Sequence, residues 1–140
     1  MKYDDKSNFK MRAEIKELYD YLDQCDDELK INEKQFMNLK ILHIVEKYLP
    51  RTKNKDIIDI YHKSKHYWET LDNQVNLDEL NDRAWNLNDN LFGIIYDNNI
   101  DGIILRFLLG TTENNSDKDY FDQLFDFYNS LIYRTETLGY

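Results

Sequence analysis

The sequence predicts an all-α, single-domain bundle of about five to six amphipathic helices over residues 1–140. Three observations support this fold class. Apolar residues recur at alternating spacings of three and four, residues with helix-capping chemistry precede several of these runs, and the length and 41% hydrophobic content suffice for one core.

Two helices are predicted in the N-terminal third. The first runs over about residues 8–30, with Ser7 as its cap. Its apolar stripe comprises Met11, Ile15, Leu18, Leu22, Cys25 and Leu29. Asn32 and Gln35 predict a capping box for the second helix, which is apolar on several sides and stops at Pro50. We therefore expect the second helix to be central.

Three more helices follow from the same spacing. The third carries Ile57, Tyr61, Ser64, Trp68 and Leu71. Asn76 with Glu79 caps a fourth, and Ser116 with Asp119 caps the last. The apolar side of the fourth helix comprises Leu77, Leu80, Ala84, Leu87 and Leu91. That of the last helix comprises Phe121, Leu124, Phe125, Tyr128, Leu131 and Ile132.

Residues 92–109 leave two alternatives open. The short runs FGIIY and IILRFLL flank DNNIDG, so the segment reads either as a short β-hairpin or as two helix ends around a loop. The helical alternative is favoured.

The DNNIDG stretch also resembles the start of an EF-hand calcium loop. The matching residues are Asp97, Asn99, Asp101 and Gly102. Leu105 and Leu108, however, stand at positions nine and twelve, where the loop needs oxygen ligands. Asn, Asp and Gly are ordinary turn formers, so we predict a turn and no metal site.

No motif predicts an enzyme. His62, His66 and Glu69 share one helical face, but Lys63 and Lys65 would repel a cation there, so a solvated helix face is expected. No phosphate-binding loop, dinucleotide fingerprint or nucleophile motif occurs. We expect no catalytic residues and no cofactor.

Charge is divided unevenly along the chain. Residues 1–65 carry 14 Lys and Arg against 13 Asp and Glu, whereas residues 66–140 carry 4 against 14, which gives +1 and −10. Such a field repels nucleic acids and anionic membranes and attracts basic proteins, so no direct binding to nucleic acid or membrane is expected. A cytoplasmic location is expected because no secretory signal is recognisable and Cys25 is the only cysteine.

Acidic and aromatic residues share two predicted helix faces. The fourth helix places Asp78, Asp82, Trp85 and Asp89 opposite its apolar stripe. The last helix repeats the spacing with Asp122, Asp126, Asn129 and Tyr133. Exposed aromatics among acids are typical of an interface for a basic protein. The alternative is that another part of the chain covers Trp85 and Tyr133.

In size, charge and Tyr-rich acidic character, the whole chain resembles the small helical immunity proteins with which bacteria neutralise their own toxins. These include the immunity proteins of contact-dependent inhibition and other polymorphic toxin systems. The resemblance rests on overall character and no aligned motif. It implies tight binding of a basic toxin domain, such as a nuclease, without a cofactor. Two alternatives stay open: a phage-type acidic DNA mimic, and a helical adaptor that acts through homodimerisation.

Overall fold

The computed structural model describes residues 11–91 and 100–138. Within these ranges the chain forms six α-helices, one short 3₁₀ helix and no strand, which confirms the predicted all-α bundle of five to six helices. The α-helices are α1 (Ala13–Asp23), α2 (Ile31–Glu46), α3 (Lys55–Thr70), α4 (Leu77–Leu91), α5 (Ile100–Thr111) and α6 (Lys118–Leu138). None of the helices in this part of the chain combines the length and apolar character that crossing a membrane requires.

Helix α5 is the most enclosed element. It packs against α2, α3, α4 and α6, while α1 lies on the other side of α6 and also touches α2. Its buried apolar side chains are Ile103, Ile104, Leu105, Phe107 and Leu108. Because these residues point to several sides of the helix, α5 needs neighbours all around it. It shares the centre of the core with α2.

The helical alternative for residues 100–109 is confirmed, and the β-hairpin is wrong there. Residues 92–99, including Asp97 and Asn99 of the calcium-like motif, lie outside the described ranges. Asp101 and Gly102 lie in the first turn of α5, so the predicted turn is wrong for these two residues. The Thr52 hydroxyl donates to the Asp101 carboxylate. A calcium loop would keep the chain non-helical here, whereas packing of the apolar run favours a helix.

Several helix ends differ from those predicted. Helix α1 ends at Asp23, because the chain turns at Gln24 towards α2, and Cys25 packs as a buried residue after the helix. Helix α2 starts after Lys30, whose backbone N–H donates to Glu33 Oε1 at 2.8 Å. The predicted box of Asn32 and Gln35 is therefore wrong.

Asn or Asp side chains cap the starts of α3, α4 and α6. Asn54 Oδ1 accepts the backbone N–H of Asp56 at 2.9 Å at the start of α3. The predicted Asn76 cap of α4 is confirmed, since its Oδ1 accepts the Glu79 N–H at 3.1 Å. Helix α6 is capped by Asp117, whose Oδ1 accepts the Tyr120 N–H at 2.8 Å. The predicted Ser116 cap is wrong, because Ser116 is buried one residue earlier.

The predicted apolar stripes of the last helices face the core. In α3, Ile57, Tyr61, Ser64 and Trp68 are buried, whereas Leu71 follows the end of the helix and is half-buried. In α4, Leu77, Leu80 and Ala84 are buried and Leu87 is half-buried, while the Leu91 side chain is outside the described part. In α6, Leu124 is half-buried, and the other five predicted residues are buried: Phe121, Phe125, Tyr128, Leu131 and Ile132. Periodicity therefore identified the inward faces correctly.

The Glu46 carboxylate lies between α2 and α3, and we expect it to make the stability of the fold depend on pH. Glu46 Oε2 accepts the Tyr61 hydroxyl at 2.6 Å and Lys65 Nζ at 3.2 Å. The hydrogen bond from Tyr61, followed by that from Lys65, lowers the pKa of Glu46. A lowered pKa in the folded state means that this stabilisation is present at neutral pH and is lost as the pH falls through that pKa.

Glu46→Gln is therefore expected to lower the free energy of unfolding at neutral pH by less than about 1 kcal/mol, because solvent screens this partly exposed group. The variant and the wild type should converge in acid, where Glu46 is protonated. Urea unfolding at neutral and acidic pH measures the difference, with Glu28→Gln on the exposed α1–α2 connection as control. A Glu46→Gln deficit that persists unchanged in acid would contradict this account.

Candidate partner-binding site

The exposed side of α4 carries the first predicted face intact. Asp78, Asp82 and Asp89 are exposed, and Trp85 between them is 49% exposed. We call these four residues the α4 ridge. They span twelve residues of helix, and the eleven steps from Asp78 to Asp89 cover about 16 Å along its axis. The prediction that a tryptophan faces outward among three aspartates is confirmed for α4.

Contacts on both sides of α4 fix the direction of the ridge. Arg83 Nη1 lies 3.0 Å from Asp59 Oδ2 on α3. On the other side, Asn81 Nδ2 donates to Leu109 O at 3.2 Å and to Thr112 Oγ1 at 2.9 Å at the end of α5. These contacts orient α4 about its axis so that the ridge lies away from the core.

The three ridge carboxylates are exposed and form no ion pair with another residue in the described part of the chain. Only four basic residues occur in residues 66–140, and two of them, Arg106 and Arg134, line a groove that Trp85 also lines. Arg83 is held by Asp59, and Lys118 Nζ donates to Cys25 O at 2.7 Å. The ridge therefore presents its carboxylates to solvent.

The second predicted face, on α6, does not join the ridge. Asn129 is fully buried, and its Oδ1 accepts the Arg12 backbone N–H at 2.9 Å. The Tyr19 hydroxyl donates to Asp122 O at 3.5 Å. Asp122, Asp126 and Tyr133 are half-buried. The predicted exposure of Asn129 is thus wrong, because α1 packs on this side of α6.

A groove that periodicity did not reveal lies beside the ridge. It has a volume of about 450 Å³ between α4, α5 and α6. Its lining comprises Trp85, Asn88, Arg106, Leu109, Gly110, Tyr120, Leu124, Phe127 and Arg134. Phe127 is 41% exposed and belongs to the side of α6 opposite Asp122 and Asn129. The spacing of Tyr120, Leu124, Phe127 and Arg134 was the available signal for this second stripe.

Gly110 allows α5 and α6 to approach closely at the floor of the groove. A Cβ atom at this position would overlap the hydroxyl oxygen of Tyr128 and lie 2.8 Å from Leu124 Cδ2. The Tyr128 hydroxyl donates to Phe107 O at 3.0 Å, and burial holds the pKa of Tyr128 well above its usual range. Burial also raises the pKa of Tyr120 to about 12.

The other residues considered as possible ligands or nucleophiles do not come together in a site within the described ranges. His62, His66 and Glu69 are exposed, as predicted for a solvated helix face, and His66 Nε2 lies 3.2 Å from Asp72 Oδ2. Cys25 is buried, and burial raises the pKa of its thiol. Within residues 11–91 and 100–138, no group of three or more His, Cys, Asp or Glu side chains could hold a metal ion.

Comparisons with known proteins found no relative of this chain. No protein-family model, no curated protein and no solved structure matches the chain.

Proposed function

We propose that the protein binds a basic protein partner through the α4 ridge and inhibits it by covering its functional surface. The observation that carries the proposal is the half-exposed Trp85 between three exposed aspartates that join no described ion pair. This is the behaviour of an immunity protein, and a cognate toxin domain such as a nuclease is the proposed partner.

Each component of the ridge has a separate physical role in the proposal. The carboxylates attract a cationic surface over a distance of roughly 8–10 Å at physiological salt, which raises the encounter rate. Trp85 then supplies the area that is removed from water in the complex. Tryptophan is enriched among the residues that dominate binding energy, because a large rigid side chain buries much surface at little entropic cost.

The density of charge favours a protein partner over mimicry of DNA. The ridge presents three carboxylates over about 16 Å, whereas one strand of B-form DNA carries about five phosphates over that length. A surface that copies DNA would need closer and longer rows of acids. A few basic side chains around an apolar contact fit the ridge better. The half-buried acids of α6 do not extend the row, because they lie on the side that faces α1.

A capture experiment tests the proposal. The purified protein is used as bait in a lysate of the source cells at low and high salt, beside the variant Asp78→Asn/Asp82→Asn/Asp89→Asn. We expect one basic protein to be retained by the wild type, less at high salt, and its affinity for the variant to fall by at least about tenfold. Toxicity of the captured protein on expression, and its suppression by the wild-type chain, identifies the inhibition.

The matched control is Asp26→Asn/Asp27→Asn/Glu28→Gln, which removes the same number of charges from the exposed α1–α2 connection. It should retain the partner nearly as well as the wild type. Equal loss in both triple variants would show that net charge, and not the ridge, governs binding. Undiminished binding by the ridge variant would contradict the proposal directly.

A further inference from the structure

Two carboxylates flank Trp85 on the exposed side of α4. Helix geometry places Asp82 one turn before Trp85 and Asp89 one turn after it, both displaced to the same side by about 40–60° around the axis. Their Cβ atoms lie about 5–6 Å from that of Trp85. Asn81 lies to the other side, where its Nδ2 donates to Leu109 O of α5. The carboxylates therefore flank Trp85 on the side away from α5.

The exposed half of the Trp85 side chain is available to a partner. Its indole N–H donates no hydrogen bond to a described residue, and no described cation or second ring packs on it. Asp82 and Asp89 are exposed and form no ion pair with a described residue. One aromatic ring and two carboxylates, each within about one helical turn of the ring, can thus meet the same incoming group.

The chemistry of that group follows from these three side chains. Carboxylates alone attract any cation, but an aromatic ring beside them favours a cation that can lie flat on it. A guanidinium is planar and weakly hydrated, so it can stack on an indole and still direct its N–H groups to a carboxylate at its edge. An ammonium is compact and strongly hydrated, and it does not donate two parallel hydrogen bonds. The ridge therefore suits arginine better than lysine.

We infer that the central contact of the ridge is an arginine side chain of the partner, stacked on Trp85 and hydrogen-bonded to Asp82 or Asp89. This inference rests on the proposed function, because it specifies which basic residue the partner places there. It differs from plain charge attraction, in which lysine and arginine would bind alike. It also differs from plain apolar burial, in which a leucine could replace Trp85.

Two peptides of equal charge test the selectivity. Hexa-arginine and hexalysine, capped at both ends, are titrated into the labelled full chain at low salt, and two-dimensional NMR follows the indole N–H signals. We expect hexa-arginine to shift the Trp85 signal and to bind about twofold to fivefold more tightly than hexalysine. The Trp68 signal is the internal reference, because Trp68 is buried on α3.

Matched variants assign the preference to the ring and to the acids. Trp85→Leu keeps apolar volume and all three carboxylates, so both peptides should still bind, but with equal affinity. Asp82→Asn/Asp89→Asn should weaken hexa-arginine by at least about threefold. Asp26→Asn/Asp27→Asn removes the same number of charges from the exposed α1–α2 connection and should preserve the preference for arginine.

Equal binding of the two peptides to the wild type, or an arginine preference that survives Trp85→Leu, would overturn the inference. The captured partner separates this inference from the proposed function. A partner that loses affinity for the ridge triple variant but not for Trp85→Leu would support the proposed function and overturn the arginine contact. An arginine preference that depends on Trp85, with no basic protein retained from the lysate, would support the arginine contact and contradict the proposed function.

Discussion

Trp68→Ala is expected to lower the free energy of unfolding by about 3–5 kcal/mol. Trp68 is 2% exposed on α3, and its Nε1 donates to Thr111 O at 2.7 Å at the end of α5. Its own carbonyl accepts Gln35 Nε2 from α2 at 2.8 Å. Truncation would leave a cavity where these three helices meet and an unpaired Thr111 carbonyl. This is a large share of the roughly 5–15 kcal/mol that stabilises a domain.

Urea unfolding followed by circular dichroism measures the loss, since fluorescence would change with the tryptophan itself. Trp68→Phe separates the two causes, because it keeps an aromatic ring and removes only the N–H and part of the volume. We expect it to cost about 1–3 kcal/mol. If Trp68→Ala unfolded at the same urea concentration as the wild type, the described packing of α3 on α5 would be wrong.

In contrast to Trp68→Ala, Trp85→Ala is expected to weaken partner binding and to leave the stability of the fold nearly unchanged. Trp85 is half-exposed, so its removal should change the free energy of unfolding by less than about 0.5 kcal/mol. Affinity for the basic partner should fall by at least about 2 kcal/mol, or roughly thirtyfold, because a central tryptophan is a typical hot spot. Isothermal titration with the captured partner measures the change.

Ile31→Ala is the control for exposed apolar surface. Ile31 is 51% exposed at the start of α2, outside the ridge and the groove, and should not affect affinity. Phe127→Ala tests the groove, which Phe127 lines together with Trp85. If Trp85→Ala alone lowers the affinity, the partner contacts the ridge. An unchanged affinity for Trp85→Ala would remove the anchor from the proposed interface.

The inward faces of the helices could be predicted from the sequence because burial leaves a period of 3.6 residues. The stripes that contain Trp68 in α3 and Phe125 in α6 follow it directly. Helix ends were less predictable, since competing caps differ by only about 1 kcal/mol. Gln35 illustrates the competition: its side chain bonds to the Trp68 carbonyl on α3 instead of closing a capping box. The contact between α2 and α3 therefore determines which hydrogen bond the Gln35 side chain makes.

Of the candidate site, only the α4 ridge could be predicted from the sequence. Periodicity shows which residues share a face of one helix, but it does not show which neighbour covers that face. Asn129 shares a face with acids, yet α1 covers it and takes its side chain as a hydrogen-bond acceptor. The groove depends on the mutual placement of α4, α5 and α6, which spacing within a single helix cannot reveal. The α4 ridge was predictable because no described helix covers it.

Hydroxyl-radical footprinting of the chain, free and bound to the captured basic partner, tests the central claim most directly. The method measures side-chain accessibility to solvent by mass spectrometry. We predict that oxidation of Trp85 falls severalfold in the complex, while oxidation of Ile31 on α2 stays unchanged. If Trp85 is oxidised as readily in the complex as in the free protein, the α4 ridge is not the surface that binds the partner.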